Sequence, residues 1–310
     1  MRQFTIGIIG VGKIVEDQHL PVIAGNRGFR LAAVASQRGA RVKGAETFRT
    51  PAAMYAAFPD LDAVAVCTPP QVRHAFAREA LAAGKHVLLE KPTTATLSEL
   101  ADLVAFAAAG KRVLFTTWHS QYNAAVDAAK AALAGEVVKR LTVTWKEDVR
   151  RWHPGQKWIW KAGGFGVFDP GINALSIVTK IMPDPVFVTH AELTFPSNCD
   201  APIAARLAFS SPKPFDQMSA EFDWRQTGDQ TWEIEITTDD HKLNLSRGGT
   251  ILDVDGKRVK EAPSTEYEQI YEEFHDLLAS GRSHIDATPL QLVADAFLIG
   301  RRVATEAFHE

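Results

Sequence analysis

From Phe4 to Phe115 the sequence alternates short apolar runs with alanine-rich helical stretches, a rhythm that few folds accommodate. Residues 4–9, 31–35, 63–66, 86–89 and 113–115 read as strands, and 21–24, 52–58, 72–83 and 97–108 as helices or helix ends. The alternation implies βαβ units, and hence a parallel sheet with helices on its faces. Ligands of such open sheets sit beyond the carboxyl ends of the strands.

The first of those ends is Gly10-Val11-Gly12-Lys13-Ile14-Val15. Gly10 suits a tight turn, and Gly12 lets the backbone approach a pyrophosphate at the positive start of the next helix, which Lys13 and Ile14 open. Val15 stands where a small residue is usual, and an ordinary glycine turn is the alternative. The strand before it and the helix after it favour a dinucleotide. The second strand ends at Ser36-Gln37-Arg38, with no carboxylate to accept bonds from ribose hydroxyls. Ser36 can donate a hydrogen bond and Arg38 can neutralise a phosphate, which favours NADP, with NAD as the second cofactor.

At 310 residues the chain is long enough for two domains sharing one active-site cleft, expected at 1–120 and 121–310. After Trp118-His119-Ser120 the pattern changes. A helix is expected at 122–133 and a strand at 137–149. Period-two runs at 204–209, 218–222 and 232–237 read as antiparallel strands joined by turns such as Thr227-Gly228-Asp229 and Arg247-Gly248-Gly249. Helices at 267–279 and 290–308 close the chain, the last long enough to pack back on the first domain.

The net charge of −3 arises from mixed signs without a sustained basic face, so no nucleic-acid partner is expected. No apolar run approaches a membrane span. The first residues lead straight into a strand and leave no room for a signal peptide, so the expected location is the cytoplasm. Cys67 and Cys199 lack pair spacing, and the ten histidines show no ligand pattern, so buried thiols and a metal-free protein are expected.

Two segments sharpen the picture: Cys67-Thr68-Pro69-Pro70 with His74, and Glu90-Lys91-Pro92, each after a strand. Through them the chain resembles the glucose-fructose oxidoreductase, inositol dehydrogenase and rhizopine catabolism family. The resemblance implies an N-terminal Rossmann fold joined to a C-terminal α+β domain on an open, mostly antiparallel sheet. It adds Thr68, Pro69, His74, Glu90 and Lys91 to the cofactor candidates, with Pro70 where family members carry asparagine. Two long strings, Trp145 to Gln156 and Gly166 to Ser176, look like those of bacterial aldose 1-dehydrogenases acting on L-arabinose and D-galactose. A homo-oligomer, most simply a dimer burying the open sheet, is what the resemblance implies for assembly.

Asp169 and Asn173 lie four apart, so on a helix they share a face and can reach one hydroxyl. Asp169 before Pro170 equally fits a helix N-cap. The resemblance favours catalysis, since the family places an aspartate and a histidine at these positions; here the second is Asn173. An amide orients a hydroxyl but takes no proton, which leaves Asp169 as general base and Lys91 to stabilise the oxyanion or relay the proton. A sugar needs polar groups for its hydroxyls and a flat apolar surface for its C–H face. His119, Glu147, Trp152, His153 and Trp232 are the candidates beside Lys91, Asp169 and Asn173. The expected reaction is oxidation of C1 of L-arabinose or D-galactose to the aldonolactone. A cyclitol dehydrogenase and a non-catalytic cofactor-binding sensor are the alternatives.

Overall fold

The computed structural model describes residues 2–309. They form two compact units, Met1–His119 with Tyr267–Ala287, and Ser120–Glu266 with Thr288–Glu310.

The first unit carries strands β1 (Phe4–Ile9), β2 (Phe29–Ala35), β3 (Glu46–Phe48), β4 (Ala63–Val66), β5 (His86–Leu89) and β6 (Leu114–Thr116). All neighbours run parallel, in the order β3-β2-β1-β4-β5-β6. Helices α1 (Leu20–Gly25), α2 (Pro51–Ala57), α3 (Pro70–Ala82) and α4 (Leu97–Ala109) connect them. Ile6, Ile8, Val64, Val66, Leu88 and Leu89 are wholly buried, because helices cover both faces of a parallel sheet. The strand order reverses between β1 and β4, where the Gly10 turn lies. A π-helical turn, Val15–His19, precedes α1 and was not legible in its polar sequence. The strand β3 was not expected either, since Glu46-Thr47-Phe48 is too short to show a period. At the start of α4, Thr96 and Glu99 close a capping box.

The second unit contains helices α5 (Val126–Ala132), α6 (Val149–Trp152) and α7 (Phe168–Ile181). Its strands are β7 (Val138–Lys146), β8 (Phe187–Pro196), β9 (Ala204–Ser210), β10 (Gln217–Asp223), β11 (Thr231–Thr238), β12 (Lys242–Ser246), β13 (Ile251–Val254), β14 (Lys257–Glu261) and β15 (Arg301–Thr305). They form one sheet, β14-β13-β12-β11-β7-β10-β9-β8-β15. The β7–β10 and β8–β15 pairs are parallel and the others antiparallel. Period two sends Leu141, Val143 and Trp145 to one face with Met218, Ala220 and Phe222. On that face the ring of Phe168 in α7 meets Phe222 edge-on at 5.8 Å. The opposite face carries Arg140, Thr142, Arg206 and Glu221, and Arg206 pairs with Glu221 at 3.5 Å.

Four points differ from the sequence reading, the first being that the helix expected at 122–133 is the shorter α5, Val126–Ala132. The strand expected at 137–149 stops at Lys146, because the Asp148 side chain accepts from the Arg150 amide and caps α6 instead. The helix α8 (Glu266–Ser280) belongs almost wholly to the first unit, where Phe274 stacks on Phe29 at 5.8 Å. The final helix expected at 290–308 is α9 (Thr288–Ile299), and it stays in the second unit. Gly300 ends it where a Cβ would stand 2.4 Å from the Ala296 carbonyl oxygen, and the alternating Arg301–Thr305 then joins β8 as a parallel strand. Among the described residues no helix is long and apolar enough to cross a membrane. Both cysteines, expected to be buried, are half-buried free thiols.

Candidate active site

In the first unit, Gly10 follows β1 with φ +87°, and a Cβ there would lie 2.9 Å from Cγ2 of Thr68 after β4. A side chain at that turn is excluded both by conformation and by space. Gly12 is the reverse case, since nothing lies within 4 Å of where its Cβ would be. Here the backbone is bare and approachable, and a side chain would fill the space over the strand ends. Beside it the Thr68 hydroxyl is buried without a protein partner. An approachable glycine backbone and an unsatisfied hydroxyl at the switch point fit a dinucleotide pyrophosphate. Lys13 pairs with Asp17 one turn on, and Pro69 is the N-cap residue of α3.

At the end of β2, Ser36 is 5% exposed. Its oxygen accepts from the Ala40 amide at 3.3 Å, which leaves the hydroxyl proton available to donate. Arg38 is exposed in the same turn. A cation the sequence did not single out lies beside them. Arg49 donates to the Gln37 carbonyl at 2.6 Å, and a Cβ on Gly39 would come within 2.9 Å of its guanidinium carbon.

Two cofactor candidates face other partners. The His74 ring lies 2.8 Å from Asp102 and so ties α3 to α4. Glu90 is 2% exposed. Its Oε1 lies 3.0 Å from His19 Nε2 and accepts from the Tyr267 hydroxyl at 2.8 Å, while Oε2 accepts from the Lys91 amide at 2.9 Å. Glu90 is therefore engaged by protein partners on both oxygens, while Lys91 is half-buried. The Arg73 guanidinium, buried at 3% exposure, donates to the carbonyls of Thr68, Glu90 and Pro92 and clamps the loops after β4 and β5 together. His119 stacks on Tyr267 at 5.7 Å.

In the second unit Asp169 is the second residue of α7, whose N-cap is Val167. The capping alternative thus fails, because no side chain caps this helix. Asp169 is 3% exposed and faces His153, with Nε2 to Oδ2 at 3.5 Å. Asn173, one turn on, is half-buried. Glu147 continues the inward parity of Trp145 past the end of β7. Its Oε1 accepts from the Trp224 indole at 3.2 Å and its Oε2 from the Trp232 indole at 2.9 Å. Trp232 lies edge-on to Trp152 at 5.5 Å, and His153 tilts over Trp224 at 5.3 Å. The unit thus gathers Glu147, Trp152, His153, Asp169 and Trp232 into connected pairs. Trp224, which sequence reasoning missed, continues the inward alternation of Met218, Ala220 and Phe222 and was within reach of it. His19 and Tyr267 were not, since His19 finds its partners 71 and 252 positions away.

The model of an oxidoreductase family with an NAD-binding Rossmann fold matches residues 4–117. A galactose 1-dehydrogenase of Pseudomonas fluorescens is 45% identical over 313 residues, spanning all of both chains. A crystal structure of D-galactose-1-dehydrogenase from Rhizobium etli superposes with a TM-score of 0.94 at 53% identity, covering 100% of this chain and 99% of that one. A 3-ketoreductase variant from Actinomadura kijaniata, solved with TDP-benzene and NADP, superposes at 0.85 with 18% identity over 98% of this chain and 100% of that one, a likeness of fold alone.

Proposed function

We propose, because the chain belongs to this oxidoreductase family with an NAD-binding Rossmann fold, that it is an aldose 1-dehydrogenase oxidising C1 of D-galactose or L-arabinose to the aldonolactone with NADP, and less readily NAD. The observation that carries this reading is the buried Asp169, aligned with Asn173 on α7 and paired with His153 beside tryptophan faces, within a full-length likeness to galactose 1-dehydrogenases. When bound, the nicotinamide ring supplies the hydride acceptor. Asp169 takes the proton of the C1 hydroxyl, which Asn173 orients. Lys91 offers positive charge to that oxygen as the proton leaves. The Trp152 and Trp232 rings offer a flat apolar surface for the sugar's C–H face, and Glu147 holds Trp232 through its indole N–H. D-Galactopyranose and L-arabinopyranose share ring stereochemistry and differ by one hydroxymethyl group, so a single pocket can serve both. Initial rates at 340 nm with a panel of aldoses and inositols test the reading. Reduction driven by D-galactose or L-arabinose is expected; activity confined to inositols, or ligand binding without turnover, overturns it.

For the cofactor, the support is the Ser36 hydroxyl and the Arg38 and Arg49 guanidiniums around one turn, with no carboxylate among Ser36, Gln37 and Arg38. Ser36→Asp places a negative charge where a 2′-phosphate would sit. It is expected to lower the NADP/NAD ratio of kcat/KM by on the order of 10²-fold, equivalent to the loss of one or two charge-assisted hydrogen bonds. An unchanged ratio rejects the NADP assignment. A cytoplasmic homodimer burying the polar face of the nine-stranded sheet completes the proposal; a monomeric mass at all dilutions removes the dimer.

A further inference from the structure

Lys91, proposed above to stabilise the oxyanion, and His119, a sugar-binding candidate, are both half-buried side chains that need holding in place. Beneath them lies a network that no part of the chemistry above uses. His19 is wholly buried. Its Nδ1 lies 2.8 Å from the Tyr271 hydroxyl and its Nε2 3.0 Å from Glu90. Glu90 also receives the Tyr267 hydroxyl and the Lys91 amide. Tyr267 in turn carries His119 on its ring face, with an interplanar angle of 22°. The π-helical turn after the Gly10–Gly12 segment, the strand end at Glu90 and the helix α8 thus meet on one carboxylate.

We propose that His19, Glu90 and Tyr267 are positioning residues, which set the backbone of Lys91 and the ring of His119 for the sugar oxidation. Three arguments support this. First, the two hydrogen bonds at Glu90 Oε1 and the one at Oε2 fix the carboxylate plane, and with it the Lys91 amide. Second, the network is charged. Burial alone would raise Glu90, but the His19 hydrogen bond and charge, with His119 and Tyr267, bring it to about 2. Burial alone would lower His19, but Cys67, Tyr271 and Glu90 carry it well above its ordinary value. Both ring nitrogens of a protonated His19 donate, so the bonds to Tyr271 and Glu90 each have a fixed sense. Third, an apolar cluster would anchor α8 at least as well, since desolvating an ion pair offsets most of its attraction. What a hydrogen-bonded pair adds is direction. The π-helical turn that carries His19 is a feature that recurs at functional sites.

This inference rests on the role proposed for Lys91, so Lys91→Met is measured beside Tyr267→Phe, Tyr267→Leu and His19→Gln in the full chain. Tyr267→Phe keeps the ring under His119 and removes the hydroxyl that donates to Glu90. It is expected to lower kcat about tenfold with the sugar KM little changed. Tyr267→Leu removes the ring as well, and kcat/KM is expected to fall by on the order of 10²-fold, with a raised KM. His19→Gln retains one donor and should fall between the two. Dinucleotide affinity, read by quenching of protein fluorescence, is expected to stay close to wild type, and Tm of Tyr267→Phe to fall by only a few degrees. Wild-type turnover in Lys91→Met overturns the role of Lys91 and the inference with it. An inactive Lys91→Met beside a Tyr267→Phe of wild-type kcat overturns the positioning role alone, as does a loss of activity in Tyr267→Phe that disappears when the assay is run well below its Tm.

Discussion

Asp169→Ala is expected to lower kcat by on the order of 10³-fold while dinucleotide affinity is unchanged, the loss typical of a removed general base. Asp169→Asn, which keeps the shape and removes the proton acceptor, should lose nearly as much. The pair of variants separates chemistry from architecture. A helix cap is the natural alternative for an aspartate before proline, but Val167 is the cap residue and Asp169 sits inside the helix. A structural role would show as a lowered Tm with kcat preserved, the reverse of what is expected. The carboxylate is nearly inaccessible and meets His153 at 3.5 Å, so it is enclosed beside a second group able to exchange a proton. Stopped-flow traces would place the loss in the chemical step, and wild-type turnover in either variant would remove Asp169 from the mechanism.

The architecture was legible where burial repeats at short range. The strands β1, β4 and β5 are buried on both faces, and their apolar runs mark them without help from the rest of the chain. The Gly10 turn was legible because conformation and close packing at one residue exclude any side chain. The inward alternation of Trp145 and Glu147 was visible too, although the partners of Glu147, at Trp224 and Trp232, were not. What the sequence hid depends on distant segments. Glu90 looked like a cofactor contact by its place in Glu-Lys-Pro, and only the fold shows it saturated by His19, Tyr267 and the Lys91 amide. His74 was a cofactor candidate through the family resemblance, and in the fold its ring is engaged by Asp102 on the next helix. The closing segment misled for a different reason. Its alternation begins only after Gly300, and residues 301–305 carry too short a pattern to outweigh the helix before them.

Gly166→Ala is expected to have the second-largest effect after loss of Asp169, though it touches no reacting atom. Gly166 has φ +54°, and a Cβ there would stand 2.2 Å from the Pro202 carbonyl oxygen and 2.9 Å from its nitrogen. Both are backbone atoms, so no side chain can swing aside. The segment around it is held on every side. Gly166 donates to the Ile159 carbonyl at 3.1 Å, Val167 donates to Pro202 at 2.7 Å, and the Asp169 amide donates to Gly166 at 2.8 Å. Before it, Phe165 is held at φ +70°, and a Cβ on Gly164 would lie 2.1 Å from the Trp158 carbonyl oxygen. Such a conformation persists only where its surroundings over-determine it, and here it sets the entry of α7 and hence the place of Asp169. A methyl group at Gly166 must push the segment off Pro202, and a displacement of about 1 Å at the base is expected to lower kcat/KM by on the order of 10²-fold, with a lowered Tm. Gly135→Ala is the matched control, with φ +86° and nothing within 4 Å of the added carbon. It carries the same conformational cost of about 1–2 kcal/mol without the collision, so a small fall in Tm and wild-type kinetics are expected. Wild-type kinetics in Gly166→Ala, or equal effects in the two variants, would show that the packing of this segment does not place Asp169.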